Sequence, residues 1–266
     1  MKKGIGLLTA ALLSVGSQAQ DMTYAEKLGF PKGKKVVILH IDDAGMSYDS
    51  NLGTIRALKE GVANSVSVMM PCGWVPGFVH FLKENKDVDA GLHLTLTSEW
   101  KQYRWGPLAG KPTVRSLVDS EGALWPSVKD VVQHGTPDHV ETEIRAQLDR
   151  ARTMGFEPTH MDSHMGTLFA TPEFLQRYVK VGIEEKIPVM FPGGHNTLIK
   201  VDERLEGERL EMVRNLGRQL WDAGLPVLDD LHNTSYGWVP DVKGKISKKK
   251  LQKFKAEKYV HALKEE

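Results

Sequence analysis

Two adjacent carboxylates, Asp42 and Asp43, follow directly after an apolar run at residues 36–41. Two such charges about 4 Å apart repel each other by roughly 4 kcal/mol at an effective dielectric constant near 20, so a bound cation would stabilise them. In a regular strand they would point to opposite faces, but a turn through Gly45 would let both face one site. A solvated turn in which one aspartate caps the next helix is the alternative.

Histidines lie in two later apolar runs. His93 lies within the third run of the chain, and residues 159–164 contain His160, Asp162 and His164. If this stretch is a strand, these three side chains share one face, and His164 lies furthest toward the carboxyl end. Each cluster also has an ordinary structural explanation, because a lone histidine in an apolar strand is more often a hydrogen-bonded core residue than a ligand.

Together, Asp43, His93 and His164 offer one carboxylate and two imidazoles from three different strands. Two nitrogens and one oxygen, with positions left for water, are typical of a catalytic metal site. A divalent ion, zinc or magnesium, would acidify water there, and Asp42, outside the ligand set, could accept the proton. The pattern therefore indicates metal-assisted hydrolysis, and the lack of a Gly-x-Ser-x-Gly sequence argues against a serine hydrolase.

Short apolar runs that alternate with amphipathic stretches must position these side chains, and they predict an α/β fold. Predicted strands cover residues 36–41, 65–70, 90–96, 159–163, 187–191 and 226–228. Predicted helices cover residues 47–60, 136–154 and 205–223, and another begins at Thr171. Right-handed crossovers favour a (β/α) barrel with the polar strand ends at its carboxyl edge, and an open doubly wound sheet is the alternative.

The first 19 residues predict a signal peptide rather than part of the fold. Lys2 and Lys3 precede an apolar run at residues 5–15, and small residues come before a cleavage position after Ala19. This predicts export, to the periplasm or the extracellular space, and one domain over residues 20–266. The single cysteine, Cys72, excludes an internal disulfide.

The charge and the hydropathy pattern exclude two classes of partner. Lys plus Arg is 35 and Asp plus Glu is 34, a net charge of +1 that argues against a dedicated nucleic-acid binder. The N-terminal apolar run is too short to span a bilayer, and other apolar runs are shorter still, so we expect no stable membrane insertion. The oligomeric state stays open.

Three sequence stretches, HIDDAGMSYDSN, GLHLTLT and THMDSHMGTLF, resemble in order and spacing the YdjC-like carbohydrate deacetylase family, which is similar in chemistry to polysaccharide deacetylases. The resemblance runs from about Val36 to the end of the chain. It implies a distorted TIM-like (β/α) barrel and a metal-dependent enzyme that removes acetyl groups from N-acetylated carbohydrates. It also implies Asp42 as general base and Asp43, His93 and His164 as metal ligands.

The chain departs from the family pattern in two places. Family members often carry further histidines after the third motif, where this chain has Met165 and Gly166. The family usually continues into a strand with a late histidine, where this chain has a basic amphipathic tail at residues 243–266. The barrel is therefore expected to be incomplete at its C-terminus: either the sequence is truncated or the general acid comes from elsewhere, with His232 preferred over His195.

A long segment rich in Trp, Gly and Pro, residues 100–134, interrupts the strand–helix alternation, and long loops are often functional. Within it, Trp105 could stack on a sugar ring and Arg104 could donate hydrogen bonds to an N-acetylated oligosaccharide, whereas packing within the loop is the alternative. Two other functions stay open: a metal-dependent hydrolase of another amide or ester, and a glycan-binding barrel with impaired catalysis.

Overall fold

A parallel four-stranded sheet forms the centre of the protein. The structure, a computed structural model, describes residues 22–202, 204–232, 238, 240, 241 and 244–265. The strands lie in the order β1-β2-β3-β4 and comprise β1 (His40–Ala44), β2 (Ser65–Val68), β3 (Ala90–Leu94) and β4 (Met161–Ser163). The predicted signal peptide, residues 1–19, lies outside the described residues.

Two further segments continue this sheet in the same direction and order. Met161 of β4 bridges in parallel to Val189, and Pro192 bridges in parallel to Leu228. These bridges lie at or beside the predicted fifth and sixth strands. The predicted parallel α/β fold is therefore confirmed, whereas closure into a barrel and the single-domain boundary stay predictions.

Helices connect the strands, and several begin where the sequence predicts. Ser47, Thr136 and Thr171 are N-caps whose hydroxyl oxygens accept a backbone N–H three residues later. The helices in the described part of the chain are α1 (Tyr24–Lys27), α2 (Tyr48–Glu60), α3 (Val75–Glu84), α4 (Val128–His134), α5 (Pro137–Thr153), α6 (Pro172–Glu185), α7 (Thr197–Asp202), α8 (Gly207–Asp222) and α9 (Lys248–Glu265). None of these helices combines the length and apolar character that crossing a bilayer requires.

The first predicted strand is wrong over its amino-terminal half. Residues 36–38 are about half exposed, and β1 begins only at His40. Next to them, the Asn64 side chain accepts a hydrogen bond from the Leu39 N–H (2.8 Å). The Asn64 backbone N–H donates in turn to the Leu39 carbonyl (3.0 Å), so backbone pairing reaches Leu39 but not residues 36–38.

The predicted loop at residues 100–134 is partly ordered and packs on the core. It contains a 3₁₀ turn (Arg115–Leu117) and α4. The buried carboxylate of Glu143 in α5 accepts the backbone N–H groups of Leu108 (3.0 Å) and Ala109 (2.9 Å). The segment is therefore hydrogen-bonded to α5 and contributes buried side chains to the core.

Candidate metal centre

An irregularity in β1 separates the two adjacent carboxylates. Between Ile41 and Ala44 this strand advances three residues while its partner β2 advances two, which is a bulge. Asp43 has a φ of 66°, in the left-handed region that aspartate tolerates better than most residues. The bulge breaks the strict alternation of faces, and Asp42 and Asp43 consequently face different neighbours.

The three predicted ligands meet at the carboxyl edge of the sheet. Oδ1 of Asp43 lies 3.4 Å from Nε2 of His93 and 3.3 Å from Nδ1 of His164. The two ring nitrogens are 3.2 Å apart, and both histidines are buried. These three atoms form a group with the spacing of metal ligands.

The spacing of these atoms fits a tetrahedral ion. Tetrahedral ligands are separated by about 1.6 times the bond length, or about 3.3–3.4 Å for zinc bonds of about 2.0–2.1 Å. Adjacent ligands around an octahedral magnesium ion, with bonds of about 2.0–2.1 Å, would be only about 2.9 Å apart. Oδ1 of Asp43 is also buried without a hydrogen-bond partner, and a cation would satisfy it.

The electrostatics of the group are those of a site with excess negative charge. Burial alone would lower the pKa of His93, but the adjacent Asp162 carboxylate raises it well above its usual value. Burial alone would raise the pKa of Asp43, but contacts with His164 and His93 hold it well below its usual range. The ionised carboxylates therefore favour positive charge on the two imidazoles, and a bound divalent cation would supply that charge in place of their added protons.

In each candidate ligand histidine, the ring nitrogen outside the ligand triangle is hydrogen-bonded to a carboxylate. Nδ1 of His93 donates to Oδ1 of Asp162 (2.7 Å), and Nε2 of His164 donates to Oε1 of Glu99 (3.0 Å). A carboxylate at one ring nitrogen fixes the proton there and directs the lone pair of the other nitrogen inward. The structure therefore selects Nε2 of His93 and Nδ1 of His164 as the ligating atoms.

A second polar group lies behind the first. Nε2 of His40 lies 2.9 Å from Oδ2 of Asp162 and 3.5 Å from Oδ1 of Asp42. The Ser67 hydroxyl donates to the same Asp162 oxygen (2.8 Å). His40, Asp42 and Asp162 also have the spacing of metal ligands. Hydrogen bonds from His40 and Ser67 already occupy the Asp162 carboxylate, so we interpret this group as a network that supports His93.

His160 does not share the site with His164. Its Nδ1 lies 3.7 Å from Oδ1 of Asp89, and its ring packs against Gly91. His164 is not in the strand itself, because it opens a 3₁₀ turn whose next residue, Met165, has a left-handed φ of 55°. This turn, rather than strand alternation, brings His164 over the sheet edge.

Arg104 and Trp105, the predicted sugar contacts, both make contacts within the loop region. Trp105 is only 5% exposed, and its indole N–H donates to the Thr97 carbonyl (2.8 Å), so neither ring face is open to a ligand. The Arg104 guanidinium pairs with Asp119 (2.7 Å) and Glu121 (3.1 Å). These contacts are those of the alternative explanation, packing within the loop, and substrate binding by Arg104 and Trp105 stays a prediction.

The two candidate general acids lie outside both ligand groups. His232 is half-buried, with its ring centroid 5.6 Å from that of Trp238. His195 is exposed, and its Nδ1 lies 3.4 Å from Oδ2 of Asp230. The role of His232 as a general acid stays a prediction.

Sequence reasoning missed three residues of the site. His40 lies two residues before Asp42, so the strand period could have placed both on one face. Ser67 could have been found from its place on the neighbouring strand. Glu99 follows β3 beyond any periodic pattern, and nothing in the sequence marks it as a partner of His164.

Comparison with known proteins identifies a family and several similar proteins. The family model described as YdjC-like protein matches residues 36–265. Similar proteins include a carbohydrate deacetylase of Thermus thermophilus, 33% identical over 64% of this chain and 58% of that protein. Another, from Brevibacillus brevis, is 33% identical over 63% of each chain. A chitooligosaccharide deacetylase of Yersinia enterocolitica is 29% identical over 72% of this chain and 69% of that protein.

A solved structure shares the fold. The crystal structure of a proposed cellobiose-phosphate cleavage protein from Enterococcus faecalis has a TM-score of 0.56 and 23% identity, over 67% of this chain and 64% of that one. The matched regions span 58–63% of the length of the Thermus and Brevibacillus relatives. Because the family model covers most of the chain, including Asp43, His93 and His164, the chain belongs to the YdjC-like protein family.

Proposed function

We propose that this protein is a metal-dependent hydrolase that removes acetyl groups from N-acetylated carbohydrates. The observation that carries the proposal is the triangle formed by Oδ1 of Asp43, Nε2 of His93 and Nδ1 of His164, with sides of 3.2–3.4 Å. The names of the similar proteins supply the class of substrate. Two imidazoles and the tetrahedral spacing favour zinc over magnesium as the ion.

Asp43, His93 and His164 would hold the ion, which when bound polarises an amide carbonyl and lowers the pKa of water. Asp42, the adjacent carboxylate outside the ligand triangle, is the proposed acceptor of the proton that water loses as it attacks the acetyl carbonyl. His232 is the proposed donor of the proton that the departing amine requires. Asp162 and Glu99 keep the two histidines in the tautomers that ligation needs.

The test compares Asp43→Asn with Asp49→Asn, an exposed aspartate in the first turn of α2. Metal content is measured by elemental analysis after zinc loading, and acetate release is measured on N-acetylglucosamine oligomers. We expect Asp43→Asn to lose bound zinc and at least about 100-fold in rate, the cost of removing one electrostatic stabiliser of the transition state. Asp49→Asn should match the wild type.

The outcomes separate the alternatives. Normal zinc content and activity in Asp43→Asn would contradict the ligand assignment. Zinc binding with glycan binding but no acetate release would indicate a binding barrel. Release of a different acid from other amides or esters would show that the protein is a hydrolase of another class of substrate.

We also propose that the protein is exported, on the basis of the basic and apolar residues before Ala19. Mass spectrometry of the protein recovered outside the cytoplasm should then find Gln20 as its first residue.

A further inference from the structure

Large apolar side chains are exposed after every strand of the sheet, on the side that carries the candidate ligands. Tyr48 follows β1 and is 53% exposed, Trp74 follows β2 and is 47% exposed, and Trp100 follows β3 and is 51% exposed. Met165, next to His164, is 58% exposed. Exposed aromatic groups that recur around a polar centre point to a ligand that has both apolar and polar faces.

Tyr48 and Trp74 are the pair whose mutual geometry is defined. Their ring centroids are 5.1 Å apart, and the ring planes are inclined by 54°. Because each ring is about half exposed, the pair presents an aromatic surface to solvent instead of burying itself. Tilted aromatic pairs at this distance attract each other, so the two rings support one another.

Buried polar contacts hold this surface in place. The buried side chain of Asn51 accepts the Gly45 N–H (2.7 Å) and donates to the Trp74 carbonyl (3.0 Å). The Trp74 N–H in turn donates to the Gly45 carbonyl (3.1 Å). Two hydrogen bonds therefore tie the backbone of Trp74 to Asn51 and to the turn after β1, and the third holds Asn51 on that turn.

The same contacts link Trp74 to the turn that follows Asp43. Gly45 lies two residues after Asp43, so their Cα atoms are at most about 7.6 Å apart. Tyr103 bridges the same two loops, because its hydroxyl donates to the Met46 carbonyl (2.7 Å) and accepts the Gly73 N–H (3.2 Å). The loop that carries Trp74 is therefore hydrogen-bonded to the turn that follows Asp43, and Tyr48 begins the helix after that turn.

We propose that Tyr48 and Trp74 form a sugar-stacking platform, which binds the pyranose ring adjacent to the residue that is deacetylated. The C–H groups on one face of a pyranose are apolar and pack on aromatic rings, while its hydroxyl groups stay in water. This proposal rests on the proposed function, because it takes the oligosaccharide as the ligand. It makes oligomers better ligands than the monosaccharide, whose single ring occupies only the metal centre.

The experiment compares Trp74→Ala and Trp74→Phe with Val62→Ala, which removes an exposed apolar side chain from the opposite, amino-terminal side of β2. All are made in the zinc-loaded full chain that also carries Asp42→Asn, so that bound glycan is not consumed. Calorimetry measures the affinity for triacetylchitotriose and for N-acetylglucosamine, and chelator competition measures the affinity for zinc.

We expect Trp74→Ala to bind the trisaccharide about tenfold more weakly, the loss expected for an apolar contact of the order of 60 Å². Trp74→Phe should lose less, Val62→Ala should lose nothing, and the affinities for the monosaccharide and for zinc should not change. A parallel acetate-release assay with Asp42 restored tests the proposed function separately.

Three results would overturn the platform. Unchanged trisaccharide affinity in Trp74→Ala would do so, and if the wild type still releases acetate, the proposed function stands. Loss of zinc affinity in Trp74→Ala would show that the residue acts on the fold rather than on the sugar. A parent chain that binds no trisaccharide also removes the platform, whatever the acetate assay shows.

Discussion

Replacing Asp162 with asparagine tests the link between the two polar groups of the site. Its carboxylate accepts hydrogen bonds from His93 (2.7 Å), Ser67 (2.8 Å) and His40 (2.9 Å). Asparagine keeps the shape of the side chain, but one of its two polar atoms must donate instead of accept. At least one of the three partners therefore loses its acceptor.

The magnitude follows from the partner that is lost. If the amide oxygen faces Ser67 and His40, the amide N–H₂ group faces Nδ1 of His93, and that nitrogen must then become an acceptor. The ring proton would move to Nε2, which can no longer ligate a metal. If the amide turns round, His93 keeps its proton but the other donors lose a charged acceptor, which costs about 1.5–3 kcal/mol. In that orientation His93 donates to a neutral amide oxygen, which supports it as a ligand less well than a carboxylate does. In both orientations we expect zinc affinity to fall about 10- to 100-fold, or about 1.4–2.7 kcal/mol.

The assay is competition for zinc with a chromophoric chelator, with Asp89→Asn as the matched control. Asp89 lies beside His160, which is not a candidate ligand, and its side chain is largely exposed. Circular dichroism establishes that both variants are folded, and the ring ¹⁵N shifts of His93 report its tautomer. A folded Asp162→Asn protein with wild-type zinc affinity and an unchanged His93 tautomer would refute the reasoning.

Two further predictions follow from other carboxylates. Glu99→Gln should weaken zinc binding in the same assay by only about 3- to 10-fold. Glu99 is half-buried, so water can reach His164 and accept its proton in place of the carboxylate. A loss as large as that of Asp162→Asn would contradict this prediction. Although burial raises it, hydrogen bonds from Lys180, Arg145 and Arg177 lower the pKa of Glu141 to about 2. The stability from this carboxylate is complete above its unfolded pKa, about 4.5, and is lost as the pH falls toward 2. Thermal unfolding should therefore show Glu141→Gln to be less stable than the wild type at pH 7 and nearly equal to it at pH 2, and a difference that does not depend on pH would count against the ion-pair network.

The sequence predicts the fold well wherever a local signal marks an element. Hydroxyl caps mark the starts of α2, α5 and α6, and continuous apolar runs mark strands that are buried on both faces. The prediction of the first strand is wrong over residues 36–38. Apolar composition predicts burial, but it does not tell whether other elements pack against these residues. The packing of other elements depends on the whole fold and cannot be read from the sequence of one strand.

The candidate ligands were predictable because parallel strands end at one edge, so that polar residues at successive strand ends must meet. The bulge at Asp43 was not, since an extra residue in β1 leaves no mark on the alternation of apolar and polar residues. Trp105 shows that residue type alone does not predict exposure. Its residue type suits sugar binding, but a ring that donates to the Thr97 carbonyl from a buried position is used for packing.

The register of the sheet explains why the supporting network exists at all. His93 of β3 is paired directly with Asp162 of β4, and parallel partners project to the same face. On the other side, β1 starts with His40 opposite Ser65, and Ser67 projects to the same face two residues later. One row of polar side chains therefore crosses all four strands. A buried carboxylate is costly unless its oxygens accept hydrogen bonds, and both oxygens of Asp162 do so, with donors from three strands. The backbone register therefore places the Asp162 carboxylate where the candidate ligand His93 donates its Nδ1 proton.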